Sequence, residues 1–211
     1  MRDSYPDREA AGEHLAGLLT HYAGRDDVTV LGLVRGGVPV AKIVADRLGA
    51  PLDVLVVRKL GVPGAPELAF GALGSGGVTV YNEEIAGLLA EGDIEAVRRR
   101  EEVELHRREQ RYRAGRPPLD LTGRTAVIVD DGLATGATAR ASVPVARALG
   151  ARRVVVAVPV GAPDAVAKLR RVADEVICPM VPPDFGAVSR YYDRFDQTSD
   201  DEVNALLGAA A

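Results

Sequence analysis

Five short runs of apolar residues recur along the chain, and they constrain its fold more than any other feature. Each run is apolar almost throughout, whereas a strand with one face in water would alternate apolar and polar residues. We therefore predict five strands buried on both faces, at residues 28–34, 52–57, 125–129, 153–158 and 175–177. Helical spacing occurs at residues 7–22, 39–48, 138–149, 164–172 and 200–207. This alternation predicts the α/β class, with a mainly parallel, doubly wound sheet flanked by helices.

The middle of the chain departs from this alternation. Residues 60–66 contain two glycines and two prolines, so we expect a loop there. Residues 68–73 and 78–81 are expected to pair as a hairpin. A short helix should follow, and after an interruption at Gly92 a highly charged helix should span residues 93–113.

The length and composition of the chain indicate one domain. A chain of 211 residues can bury one good core, so we expect a single domain over residues 1–211. Within it, residues 60–116 should form an insertion or lid and residues 179–211 a small C-terminal hood. The net charge of −4 argues against a nucleic-acid partner, and the single cysteine excludes a disulfide framework. No apolar run approaches the roughly 20 residues of a membrane helix, so we expect a cytoplasmic protein without a membrane partner.

The chemistry is concentrated in residues 127–138, which read VIVDDGLATGAT. Three apolar residues end a central strand, and ligands bind at this end of the strands in an open α/β sheet. Gly132 and Gly136 allow a tight turn that directs backbone amides inward. The amides of residues 134–138 can then surround an anion at a helix N-terminus. The residues predicted to form this phosphate cradle are Ala134, Thr135, Gly136, Ala137 and Thr138.

Two carboxylates, Asp130 and Asp131, stand beside this predicted cradle. Carboxylates repel phosphate, so they need another partner. They can accept hydrogen bonds from the two hydroxyls of a ribose, and they can hold Mg²⁺, mainly through water. The segment therefore predicts a ligand that is a sugar phosphate with a cis-diol.

Other anion-binding motifs fit the sequence less well. A Walker A loop is excluded because no Gly-Lys-Ser/Thr follows the spacer. The glycines of residues 74–77 are not followed by a helix, so they do not form a dinucleotide fingerprint. An ordinary strand–turn–helix connection is the plain alternative.

Residues 127–138 resemble the signature by which type I phosphoribosyltransferases bind phosphoribosyl pyrophosphate (PRPP). The resemblance implies a Mg²⁺-dependent enzyme, a pentosyltransferase, that moves ribose 5-phosphate from PRPP to an acceptor and releases pyrophosphate. It assigns the pyrophosphate to a loop at residues 35–38, where Arg35 would bind the anion and Gly36 and Gly37 would let the backbone approach. Arg58 and Lys59, which close the second strand, would face the same leaving group. Asp130, Asp131, Arg35 and Lys59 are the residues predicted to take part in catalysis.

The sequence leaves several questions open. The acceptor is unidentified, with a nucleobase as one candidate, and its general base could be Asp131 or Glu67. Tyr191, Tyr192 and Phe195 could stack an acceptor ring or simply pack the tail. The arginines of the charged helix could pair with its glutamates or could serve a lid. A PRPP-sensing regulator without turnover is the alternative function, a PRPP-synthesising or hydrolysing enzyme is less favoured, and a homodimer is expected from the family.

Overall fold

The computed structural model describes residues 4–208, with only the backbone at Glu67. The helices are α1 Arg8–Leu18, α2 Gly37–Leu48, α3 Glu83–Ala86, α4 Glu91–Arg113, α5 Ala137–Ala148, α6 Pro163–Leu169 and α7 Asp200–Leu206. The strands are β1 Val28–Leu33, β2 Leu52–Leu55, β3 Val57–Val62, β4 Ala65–Gly74, β5 Val78–Tyr81, β6 Thr125–Val129, β7 Arg153–Ala157 and β8 Glu175–Ile177. Single 3₁₀ turns occupy Thr20–Tyr22, Ser75–Gly77 and Val188–Tyr191.

Five strands form a parallel sheet in the order β2-β1-β6-β7-β8, as the apolar runs predict. Every residue of β1 and β6 is buried. The prediction of burial on both faces is wrong for the edge strands, because β2 is partly exposed in its first half and β8 throughout. On one face Ile128 packs with residues of α5 and α6, and on the other Val127 packs with residues of α1 and α2. The doubly wound α/β prediction is confirmed. β6 lies at the centre of the sheet, so the segment after it opens at the middle of the carboxyl edge.

The prediction of a loop over residues 60–66 is wrong. β3 and β4 pair as an antiparallel hairpin, and only Pro63 and Gly64 form its turn. Gly64 has a φ of +80°, which glycine adopts without strain. A side chain at Gly61 would lie 2.8 Å from the carbonyl oxygen of Pro66, so glycine is required for close approach of the strands. Gly64 and Gly61 indicate a loop in the sequence, but here they allow a tight turn and a close contact between β3 and β4.

The single strand predicted over residues 52–57 is divided between two sheets. β2 ends at Leu55, and β3 begins at Val57 in an antiparallel sheet with the order β3-β4-β5. Val56 joins them, since its amide donates to the Ser75 hydroxyl at 3.2 Å and its carbonyl accepts from the Ser75 amide at 3.1 Å. The predicted pairing of residues 68–73 with residues 78–81 is confirmed.

Helix α4 covers the antiparallel sheet. Gly92 does not interrupt it, because it falls in the first turn, where backbone amides have no intrahelical partner to lose. Val97 and Leu105 of α4 pack with Phe70 of β4 and Val203 of α7 in one buried cluster. β4, α4 and the C-terminal helix α7 therefore share a core next to the carboxyl edge of the parallel sheet. No helix within residues 4–208 is both long enough and apolar enough to cross a membrane.

Candidate active site

The turn after β6 is open to solvent at residues 134, 135 and 138. Leu133 anchors it from below, because its amide donates to the Val160 carbonyl at 2.9 Å and its carbonyl accepts from the Ala162 amide at 2.8 Å. Gly136 has a φ of +67°, which strains any residue with a side chain, and a Cβ there would lie in tight contact with the Cβ of Ala165, at 3.1 Å. Ala134, Thr135 and Thr138 are exposed, with Ala137 half-buried between them at the start of α5.

The two acids lie behind this turn, largely withdrawn from water. Burial, and then the negative charge of Asp131, raise the pKa of Asp130 well above its usual range. The Asp130 carboxylate accepts a bond from the Asp131 amide at 2.9 Å. Burial also raises the pKa of Asp131, although the Arg8 guanidinium opposes the shift. The pair is thus a poorly solvated anionic site that a donor-rich ligand or a cation would stabilise.

Arg8 of α1 holds Asp131 directly. Its Nε and Nη2 atoms donate to Oδ2 of Asp131 at 3.0 and 2.9 Å, and both side chains are 14% exposed. The guanidinium also lies 4.0 Å from the centre of the Phe195 ring and donates to the Asp196 carbonyl at 2.7 Å. One oxygen of Asp131 is therefore committed to an internal ion pair.

The glycine loop after β1 touches the acids. The Val34–Arg35 peptide bond is cis, and Gly36 and Gly37 follow at the start of α2. A side chain at Gly36 would overlap the Asp131 carboxylate, and one at Gly37 would lie 2.5 Å from the Val129 carbonyl oxygen. The structure therefore brings residues 35–37 against residues 130–131, with the N-termini of α2 and α5 both at this edge.

A cavity of about 690 Å³ extends from this edge towards α4. Val34, Lys59 and Thr138 are among the described residues that line it, whereas Asp130, Asp131 and residues 35–37 are not, so the cavity adjoins the acids without enclosing them. Arg58 lines it too, but its guanidinium donates to Oε2 of Glu101 at 2.9 and 2.6 Å. Glu101 is buried on α4 and also accepts from Arg100 at 3.1 Å. Arg58 therefore joins β3 to α4 in addition to facing the cavity.

The sequence matches the Phosphoribosyl transferase domain family over residues 3–195. The chain belongs to this phosphoribosyl transferase family. It is 46% identical to TT1426 of Thermus thermophilus, a crystal structure that it matches with a TM-score of 0.91 over 97% of each chain. Two Mycobacterium tuberculosis proteins, provisionally named phosphoribosyl transferases, are each 55% identical over 208 residues. These residues are 98% of this chain and 47% of each relative, so the chain spans about half the length of the curated relatives it matches.

Two contacts of this phosphoribosyl transferase domain have no local signal in the sequence. Arg8 lies in an ordinary helix 123 positions from Asp131, and Glu101 is one of many acids on α4. The aromatic tail does carry a signal, and the structure shows how it packs. Tyr191 and Tyr192 are buried with Tyr5 and Phe185, and the Tyr192 hydroxyl donates to the Asp131 carbonyl at 2.7 Å. The tail packs behind the acids, and Glu67, the other base candidate, has no described side chain.

Proposed function

We propose that this domain transfers ribose 5-phosphate from PRPP to an acceptor with release of pyrophosphate. This proposal rests on one observation: the open turn at residues 134–138 and the glycine loop at residues 35–37 both lie beside the same pair of acids. One loop offers amides and hydroxyls to a phosphate, and the other lets the backbone approach a second anion. The acids between them suit the hydroxyls of the sugar that joins the two phosphate groups.

In the proposed reaction an acceptor lone pair forms a bond to C1 of the sugar while the C1–oxygen bond to pyrophosphate breaks. The electrons of that bond leave with pyrophosphate, and the ring gains positive character. Amides of residues 134–138 hold the 5-phosphate and so orient C1. Asp130 and Asp131 hold the hydroxyls and favour the cationic ring, whereas Arg35, Lys59 and Arg58 stabilise the leaving group. No residue forms a covalent bond, and an acceptor that carries a proton releases it to a base that stays unassigned.

The donors at the site fit Mg²⁺. Mg²⁺ prefers oxygen ligands, keeps several waters, and is commonly held by one or two carboxylates together with substrate phosphates. Asp130 and Asp131 supply such carboxylates, and no set of three metal-ligating side chains is found within residues 4–208. A bound Mg²⁺ would neutralise charge on the departing pyrophosphate. In this proposal Asp130 and Asp131 would hold Mg²⁺ together with the phosphates of the substrate.

The outer part of the cavity is the place that we assign to the acceptor. It lies between the turn at residues 63–64 and Arg100 of α4, and the other described residues that line the cavity include no aromatic side chain. This lining favours recognition by hydrogen bonds and charge over ring stacking. A nucleobase stays a candidate, and the cytoplasmic location and the homodimer stay predictions.

The test is a pyrophosphate-release screen with PRPP, Mg²⁺ and a panel of purines, pyrimidines and amines. Release with one acceptor establishes transfer and names the acceptor. Tight PRPP binding with no release across the panel would favour the PRPP-sensing alternative. A chain that binds no PRPP would contradict both functions.

The double variant Asp130→Asn, Asp131→Asn tests the role of the acids. Loss of two charge-assisted hydrogen-bond acceptors should weaken PRPP binding by about 3 kcal/mol or more, measured by titration calorimetry. The matched control is Asp26→Asn, which removes an acid at the opposite end of the sheet, just before β1. Wild-type affinity in the double variant would refute the assignment of these acids to the ribose.

A further inference from the structure

A second cavity, of about 240 Å³, lies next to Val34 and Arg35, where β1 gives way to the glycine loop. Val34 and Arg108 line both cavities, so the two adjoin at the loop that follows β1. Four arginines line the smaller cavity, together with Tyr112 and Asp200: Arg35, Arg107, Arg108 and Arg111. Three of the four come from α4, on consecutive turns of one helix face.

Among residues 4–208, the carboxylates that pair with these arginines are fewer than the guanidinium groups. Glu104 accepts from Arg107 and from Arg108, each at 2.8 Å. Asp200 accepts from Arg111 and lies 3.7 Å from Arg35. Two acids thus pair with four arginines, and only one of these acids, Asp200, lines the cavity. Guanidinium groups with unused donors suit the oxygens of a phosphate, which they bind in pairs.

Asp200 occupies the cluster as an internal anion. It begins α7, and its Oδ1 also accepts from the Tyr112 hydroxyl at 2.5 Å. Val203, one turn later, is fully buried against α4 and β4, so packing of α7 fixes the carboxylate among the arginines. The bond from Tyr112 and the nearby Arg111 hold the pKa of Asp200 below its usual range, and the group stays charged at neutral pH.

We propose that Arg107, Arg108 and Arg111 extend the anion site at Arg35 into a polyphosphate-binding cluster that Asp200 partly fills in the free protein. The cluster takes the diphosphate end of the sugar substrate and the pyrophosphate product. Two observations support this ligand: Arg35, which belongs to the loop proposed for pyrophosphate, lines the smaller cavity, and Val34 and Arg108 line both cavities. This inference rests on the proposed function.

The experiment is calorimetric titration of inorganic pyrophosphate with Mg²⁺, at fixed ionic strength, into wild-type protein and variants. Arg107→Gln together with Arg111→Gln should weaken pyrophosphate binding about tenfold or more through lost charge-assisted bonds. Asp200→Asn should tighten it about threefold or more, because the competing internal charge is gone. The matched control is Arg99→Gln on the same helix, whose side chain is 74% exposed, pairs with Glu95 and lies outside both cavities.

Two readouts separate this inference from the proposed function. Ribose 5-phosphate affinity should stay unchanged in all variants, and the single variant Arg107→Gln, whose ion pair with Glu104 lies within its own helix, serves if the double variant fails to fold. The cluster would be overturned if the double arginine variant bound pyrophosphate as tightly as Arg99→Gln does, or if Asp200→Asn bound it more weakly than the wild type. The proposed function would still stand in either case if PRPP binds. Binding of pyrophosphate through the cluster without any binding of PRPP would overturn the proposed function and the role of the cluster towards the sugar substrate, and would leave the pyrophosphate site standing.

Discussion

At the scale of single residues, Asp130 and Asp131 lie behind the β6 turn at positions where they contribute little to the stability of the fold. Asp130 accepts a bond from a backbone amide, while burial raises its pKa. Asp131 is paired with the Arg8 guanidinium, yet burial still raises the pKa of Asp131. Carboxyl groups held in such surroundings weaken the fold when they ionise, and perturbed groups of this kind cluster at functional sites. The pair therefore has a better explanation in ligand binding than in stability.

Asp130→Asn should stabilise the folded protein at neutral pH by about 1–3 kcal/mol. The folded protein binds the Asp130 proton more tightly than the unfolded chain does. The contribution of Asp130 to the free energy of unfolding is therefore fully present below its ordinary pKa of about 3.9 and is lost as pH rises towards the raised pKa. Urea unfolding at pH 4, 6 and 8 should show a gain in the variant that grows with pH.

Asp120→Asn is the control for this pH series. Asp120 is exposed, and its bonds from Thr122 lower its pKa, so its contribution has the opposite sign and disappears as pH falls. The variant should gain no stability at pH 8. A gain from Asp130→Asn that is equal at all three pH values would contradict the burial argument.

At the scale of elements, the parallel sheet follows from the sequence because each strand carries its own signal. Strands buried on both faces are apolar throughout, and the glycine turn after β6 has a local pattern. The hairpin of β3 and β4 could not be predicted in this way. Its turn requires glycine at position 64, and the close contact between its strands requires glycine at position 61. The segment therefore has the composition of a loop although it forms two paired strands. The change of sheet at Val56 likewise depends on Ser75, which is distant in sequence.

Gly64→Ala tests the hairpin turn. With a φ of +80° at this position, alanine should destabilise the protein by about 1 kcal/mol, measured by urea unfolding. Gly17→Ala is the matched control, because Gly17 is a helical residue of α1 with no atom within 4 Å of a new Cβ. That variant should be more stable than the wild type by about 0.5–1 kcal/mol. Equal effects at the two glycines would refute the turn conformation.

At the scale of the whole molecule, the site depends on the two ends of the described chain. Arg8 near one end holds Asp131, and Tyr192 and Phe195 near the other contact Asp131 and Arg8. A sequence motif reports only what adjacent residues do, so residues 127–138 indicate the ligand but not the support behind the acids. Tertiary packing of α1 and the tail supplies that support, which is why Arg8 escaped prediction.

Arg8→Gln should therefore affect the tail and the site together. Without the guanidinium, Asp131 loses two charge-assisted bonds and the tail loses its contact at Phe195, so hydrogen exchange should accelerate in residues 190–198. PRPP affinity should fall by about tenfold, since Asp131 is no longer held in place for the sugar. Arg25→Gln is the control, because Arg25 pairs with Asp27 away from the acids. Tighter PRPP binding by Arg8→Gln would mean that Arg8 competes with the ribose for Asp131 and does not position it.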